Sequence, residues 1–147
     1  MRIKMRNKFL AILILMFLAL PCFAKHFHSE KEYQTYWCNK RGGQMEYKLN
    51  DGTRIDCLLP DMAVEFDFAP KWHECIGQAV HYGTKTKRTP ACVLIIENRQ
   101  KDVKYLKRLR YDVYQKRHLT NFRTFTIKPE VFSECSNADT VSGVCAI

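Results

Sequence analysis

The 147-residue chain has no Cys-x-x-Cys pair, no internal repeat and no low-complexity block. It also has no apolar run near the ~20 residues that span a bilayer. The first absence removes the usual spacing of a structural zinc site. The second removes solenoids and propellers. The fourth leaves one short apolar stretch, the 12 residues Phe9 to Leu20. Arg2, Lys4, Arg6 and Lys8 precede that stretch, and Pro21 and a small-x-small pattern, Cys22-Phe23-Ala24, follow it. Together they read as a secretory signal peptide, residues 1–24, cut after Ala24. An uncleaved anchor would need a longer run. A lipoprotein reading at Cys22 is weakened by Pro21, where a small residue is wanted.

Removal of the leader leaves residues 25–147, one domain by length. Its expected core covers about residues 44–128, with a tail over 129–147. The expected location is periplasmic or secreted, with no stable membrane association after cleavage; oligomeric state stays open. Four of the 24 basic residues and none of the 15 acids lie in the leader, so the mature domain has a net charge of +5. A basic balance suits a polyanion such as nucleic acid, although ordinary soluble domains share it.

Six cysteines remain: Cys38, Cys57, Cys75, Cys92, Cys135 and Cys145. An even count in an exported chain invites disulfides. Cys135 and Cys145 bracket a Ser/Asn/Gly-rich tail and make the best candidate bridge. Cys57, Cys75 and Cys92 fall mid-strand, mid-helix and at a strand start, where cysteine often serves as a small buried hydrophobe. Cys38 has no assigned partner.

Ser29-x-x-Glu32 resembles a capping box, and with Gly42-Gly43 as a stop it predicts a helix near Glu30 to Lys40. Asp51-Gly52 between two strand-like runs predicts a hairpin with a two-residue loop. That register puts Tyr47 opposite Asp56 and turns Glu46 away. Ala63 to Phe68 alternates strictly, with Val64, Phe66 and Phe68 on the apolar side and Glu65 and Asp67 on the other. Lys71 to Tyr82 reads as a helix stopped by Gly83. Trp72, Ile76 and Ala79 make its core stripe; Lys71, Cys75, Gln78 and Tyr82 make the neighbouring one. Ala91 to Ile96 is an unbroken apolar run, as in a strand covered on both faces. Lys101 to His118 is a basic amphipathic helix with Val103, Leu106, Leu109 and Val113 inward. Phe122 to Ile127 is a last strand. The order α-β-β-β-α-β-α-β gives an α/β (α+β) fold: a central four- to five-stranded mixed sheet flanked by helices.

Asp56 and Glu65 on neighbouring strands can offer carboxylate oxygens to one hard cation. Each acid alone reads more readily as a solvated residue on the wet face of the sheet. Arg54 shares the face of Asp56 as a partner for it or for a phosphate. His26-Phe27-His28 reads as a loose new N-terminus, and His73, His81 and His118 as solvated. Lys104, Lys107, Arg108 and Arg110, with Lys85, Lys87 and Arg88, can form a cationic wall for a phosphate backbone or a plain solvated face.

Asp56, then Glu65-x-Asp67, then Gln78-x-x-x-Tyr82 on the following helix resembles the PD-(D/E)xK nuclease superfamily, in particular its exonuclease-like branch. The resemblance covers about residues 44–96. It implies a restriction endonuclease-like core and hydrolysis of DNA dependent on Mg²⁺ (or Mn²⁺). Asp56 and Glu65 would be metal ligands with Asp67 as an additional one. Gln78 and Tyr82 would orient phosphate or the active-site lysine. The chain departs from the pattern at Asp67, where the family has lysine; Lys71 would be its displaced counterpart, offsetting developing negative charge. Two other functions stay open. One is a catalytically inactive nucleic-acid-binding module on the same scaffold. The other is a small disulfide-stabilised exported interaction protein, for which an absence of free thiols would speak.

Overall fold

The computed structural model describes residues 26–133; the leader, Cys22 and the Cys135–Cys145 pair lie outside them. The elements are α1 (Glu30–Asn39), β1 (Gln44–Lys48), β2 (Arg54–Leu58), β3 (Met62–Phe68), α2 (Trp72–Thr86), β4 (Thr89–Ile95), α3 (Arg99–Arg110) and β5 (Arg123–Ile127). A short 3₁₀ turn, Ala69–Lys71, joins β3 to α2, and a π-helical turn, Tyr111–Lys116, follows α3. The strands form one sheet in the order β1-β2-β3-β4-β5. β1, β2 and β3 are antiparallel neighbours, while β3, β4 and β5 run parallel. The expected mixed, helix-flanked sheet is therefore present, with five strands.

Two apolar cores form because alternate residues of each strand point to opposite faces. On one face Cys57, Val64, Phe66, Val93 and Ile95 meet Tyr33, Trp37 and Cys38 of α1. On the other, Cys92 and Leu94 meet Cys75, Ile76 and Ala79 of α2 and Leu109 of α3. β4 is buried along almost its whole length, as its apolar run requires. The capping box of α1 is complete: Glu32 N donates to Ser29 Oγ at 3.3 Å and Ser29 N to Glu32 Oε2 at 2.7 Å.

Four local expectations are corrected. The hairpin loop has three residues, because Leu49 N donates to the Thr53 carbonyl at 2.9 Å and Gly52 takes the left-handed position at φ 86°. Such a loop shifts the register by one residue, so Tyr47 pairs with Ile55 and not with Asp56. α2 does not stop at Gly83. That glycine is buried mid-helix, where a Cβ would lie 2.9 Å from Pro90 Cβ, and the helix is capped by Lys87 in the left-handed region. Val103 is exposed, so α3 packs through Leu109 with Leu106 and Tyr105. His26 is held, not loose: Nδ1 lies 2.6 Å from Glu97 Oε2 and the ring stacks on Phe68.

The cysteines are corrected as well. Cys57, Cys75 and Cys92 are not free thiols; the bonds are Cys38–Cys57 and Cys75–Cys92. The first ties the end of α1 to β2 on one face, and the second ties α2 to β4 on the other. Gly43 sits where a Cβ would come 2.5 Å from Cys57 Sγ and 2.7 Å from Cys38 Sγ, so the first bridge needs a residue without a side chain there.

Candidate functional site

β2 and β3 pair by backbone only at Cys57↔Val64 and Leu58↔Ala63. Beyond that point the ladder is replaced by side chains. Asp56 N donates to Glu65 Oε1 at 3.2 Å, and Phe66 N donates to Asp56 Oδ2 at 2.8 Å. The two strands thus open into a fork, and the two carboxylates sit in its throat, each satisfying an amide of the opposite strand. Each keeps its second oxygen outside these two bonds. The wet-face reading fails for Glu65, which is 2% exposed, and Asp67 is 5% exposed; Asp56 is half-buried.

Electrostatics follows from this burial. Desolvation disfavours the ionised carboxylate and raises its pKa. It raises Asp56 first, with Glu30 and Glu46 adding to the effect and the Phe66 amide and Lys31 opposing it. It raises Glu65 too, and the neighbouring Asp56 charge adds to that. Asp67 is pushed up to about 7, mainly by burial and then by Glu30, with Lys71 opposing. Burial also raises Tyr82, whose hydroxyl lies near Thr53 and Arg54 and feels the Glu65 and Asp56 charges.

The structure places the other expected residues unevenly. Lys71 caps α2 and its Nζ is 3.9 Å from Asp67 Oδ1, so it reaches the fork through Asp67. Tyr82 packs from α2 against Ile55, Leu58 and Ala63, near enough to the fork to feel the Glu65 and Asp56 charges. Gln78 stays exposed on that helix. Arg54 turns to Glu46, at 3.6 Å, and not to Asp56. Lys85 pairs with Asp51 at 3.2 Å beside a hollow of about 320 Å³ lined by Tyr47, Lys48, Leu49, Asn50, Asp51 and Lys85.

Two acids escaped sequence reasoning. Glu46 belongs beside Asp56 once the hairpin has three loop residues, and its left-handed backbone, φ 51°, lets it meet Lys31 at 2.7 Å and Arg54. A Gly at the third loop position was the signal for that register. Glu30 looks from the sequence like an ordinary first-turn acid favoured by the helix dipole. Its charge nevertheless acts on Asp56, Glu65 and Asp67. Gln34, one turn on, donates to Glu30 Oε1 at 3.1 Å, and its own Oε1 is buried without a partner among the described residues.

Among the described residues no three His, Cys, Asp or Glu side chains are grouped to hold a metal by themselves. The donors nevertheless suit one kind of ion. All are hard oxygens, and Mg²⁺ commonly takes one or two carboxylates and fills its shell with water and substrate oxygens. No helix among the described residues is long and apolar enough to cross a membrane. No family model matches the chain, and neither the curated proteins nor the solved structures yield a match.

Proposed function

We propose that the fork is the centre of a metal-assisted phosphodiester hydrolase acting on nucleic acid, of the PD-(D/E)xK kind, on an exported chain. The observation that carries the reading is the interlocked pair: half-buried Asp56 and buried Glu65, each accepting the other strand's amide. Desolvated carboxylates that feel each other's charge cost stability unless neutralised, and acids perturbed by burial together with a charged neighbour are candidates for a functional site. β1–β4 with α1 on one face and α2 on the other is also the arrangement that the resemblance implies.

In this reading Asp56 and Glu65 hold the ion, with Asp67 beside them. A bound Mg²⁺ or Mn²⁺ would supply charge neutralisation at the phosphoryl oxygens and lower the pKa of a water. The chain's own groups then have distinct tasks. Lys71, paired with Asp67, offers a fixed positive charge to the phosphate from the α2 end of the fork. Tyr82, kept protonated by its raised pKa, donates a hydrogen bond toward the acids. Gln78, on the solvent side of α2, orients incoming phosphate.

The test is cleavage of plasmid and linear DNA by the oxidised mature protein with Mg²⁺ or Mn²⁺. Asp56→Ala and Glu65→Ala should each lower the rate by roughly 10²–10³-fold, the scale of losing one transition-state charge contact. Cleavage at the parental rate in both variants would remove the assignment.

One observation favours a second reading, a disulfide-stabilised exported interaction protein. The three cysteines expected to pack as free thiols are all bridged. Tight disulfide use is what small exported domains employ in place of a larger core. A protein that cleaves no nucleic acid in either metal, with no free thiol, would move the conclusion there.

A further inference from the structure

We propose that the outer face of α3, with the π-helical turn after it, is a platform for single-stranded nucleic acid. The proposal rests on the phosphodiester reading for the class of polymer, and it adds the form in which that polymer is bound. Charge is the first observation. Residues 99–117 contain eight Lys and Arg against two acids. Both acids are engaged locally: Asp102 Oδ2 accepts from Asn98 N at 2.8 Å, and Asp112 Oδ2 pairs with Arg117 Nε at 2.7 Å. Among the described residues Lys101, Lys104, Lys107, Arg108 and Arg110 pair with no carboxylate.

Aromatic exposure is the second, independent observation. Among the described residues five large hydrophobics are exposed, and three of them, Val103, Tyr111 and Tyr114, fall on this one segment. Tyr111 is 60% exposed. Lys104, Lys107, Arg108 and Tyr111 stand at helical spacings of three and four, hence on one face. The Tyr105 ring beneath already lies within cation–π reach of Lys104 and Arg108, at 4.9 and 5.6 Å, which steadies both cations.

Cations that track a backbone, interleaved with an open aromatic ring, are what unpaired bases need. Every base has a π-face, and stacking is lost when the bases are hidden in a duplex. A duplex would use the cations alone. α3 also packs beside the Ala69–Lys71 turn and α2, so a strand lying on this face is led toward Lys71 and the fork.

The test is fluorescence anisotropy in EDTA, where no cleavage can occur, on the oxidised protein. The probes are a fluorescein-labelled DNA single strand and a duplex of the same sequence. The single strand should bind at least about tenfold tighter, and Tyr111→Ala should remove about that factor for the single strand while leaving the duplex nearly unchanged. Tyr111→Phe should restore it. Lys104→Glu with Arg108→Glu should weaken both probes and flatten the salt dependence. Equal binding of the two probes, with Tyr111→Ala indistinguishable from the parent, overturns the proposal. So does sedimentation with phosphatidylserine vesicles that excess single strand does not reverse, which would assign the face to a lipid surface. A protein that shows the single-strand preference yet cleaves nothing in Mg²⁺ or Mn²⁺ loses the hydrolase reading alone.

Discussion

Asp67 shows how a single buried acid couples the fork to proton concentration. Its folded pKa is raised to about 7 by burial, against about 3.9 for a free aspartate. The native state therefore binds the proton more tightly than the unfolded state. Stability from this group is fully present below about pH 4 and is lost as pH rises through about 7. Asp56 and Glu65 shift in the same direction and add to the trend. Without divalent cation the melting temperature should fall between about pH 5 and 8. Millimolar Mg²⁺ should restore it at pH 8 and do little at pH 5, because binding to the native state stabilises by mass action and protonated carboxyls bind no metal. A flat melting profile over that range, or equal Mg²⁺ effects at both ends, would contradict the buried pair as a cation site. Asp67→Asn should weaken the pH dependence, since it removes one of the groups that titrates.

At the scale of elements, the bridges decide how firmly the fork is held. Cys38–Cys57 and Cys75–Cys92 close loops of similar length, with separations of 19 and 17 residues. Each should contribute about 3 kcal/mol by restricting the unfolded chain. Urea unfolding of Cys75→Ala/Cys92→Ala should show a loss of that order. Because Cys75 Sγ lies 3.5 Å from the Glu65 carbonyl, that variant should also loosen β3 and raise amide exchange at Phe66. Gly43→Ala should destabilise by about 1–3 kcal/mol through overpacking, and a change below a few tenths would mean the sulfurs can move aside. Most of these elements were legible from pattern alone: the capping box set α1, alternation set β3, and the apolar run set β4. The errors arose where long-range contacts overruled local signals. Gly83 looked like a helix stop but is small to admit Pro90. Asp51-Gly52 looked like a whole loop but is the last two-thirds of one, and that single residue moved Glu46 from bystander to neighbour of Asp56. Asp56 and Glu65 were found because antiparallel pairing makes them opposite. Glu30 was hidden because nothing in a first-turn acid announces a carboxylate on a strand far along the chain.

For the molecule as a whole, the charge is divided. Three acids, Asp56, Glu65 and Asp67, lie at the fork beside β3, whereas α3 carries a run of cations with no carboxylate partner among the described residues. A polyanion would be drawn to α3 and, above about pH 7 where Asp67 is ionised, repelled by an empty fork; a divalent cation would reverse the repulsion. Nucleic-acid affinity should therefore rise with Mg²⁺ at constant ionic strength in the parent protein and not in the Asp56→Ala/Glu65→Ala variant; an equal rise in both would place the metal elsewhere. The sulfur bridges set a further condition on this machinery. They fasten opposite sides of the same sheet, one beside Asp56 and one beneath Glu65. In a thiol-rich cytosol neither would persist, so the fork acids of a newly made chain would lack their two anchors. A cell producing a hydrolase of this design would carry it in a slack form, harmless to its own genome, until the chain reached surroundings in which cysteines stay oxidised.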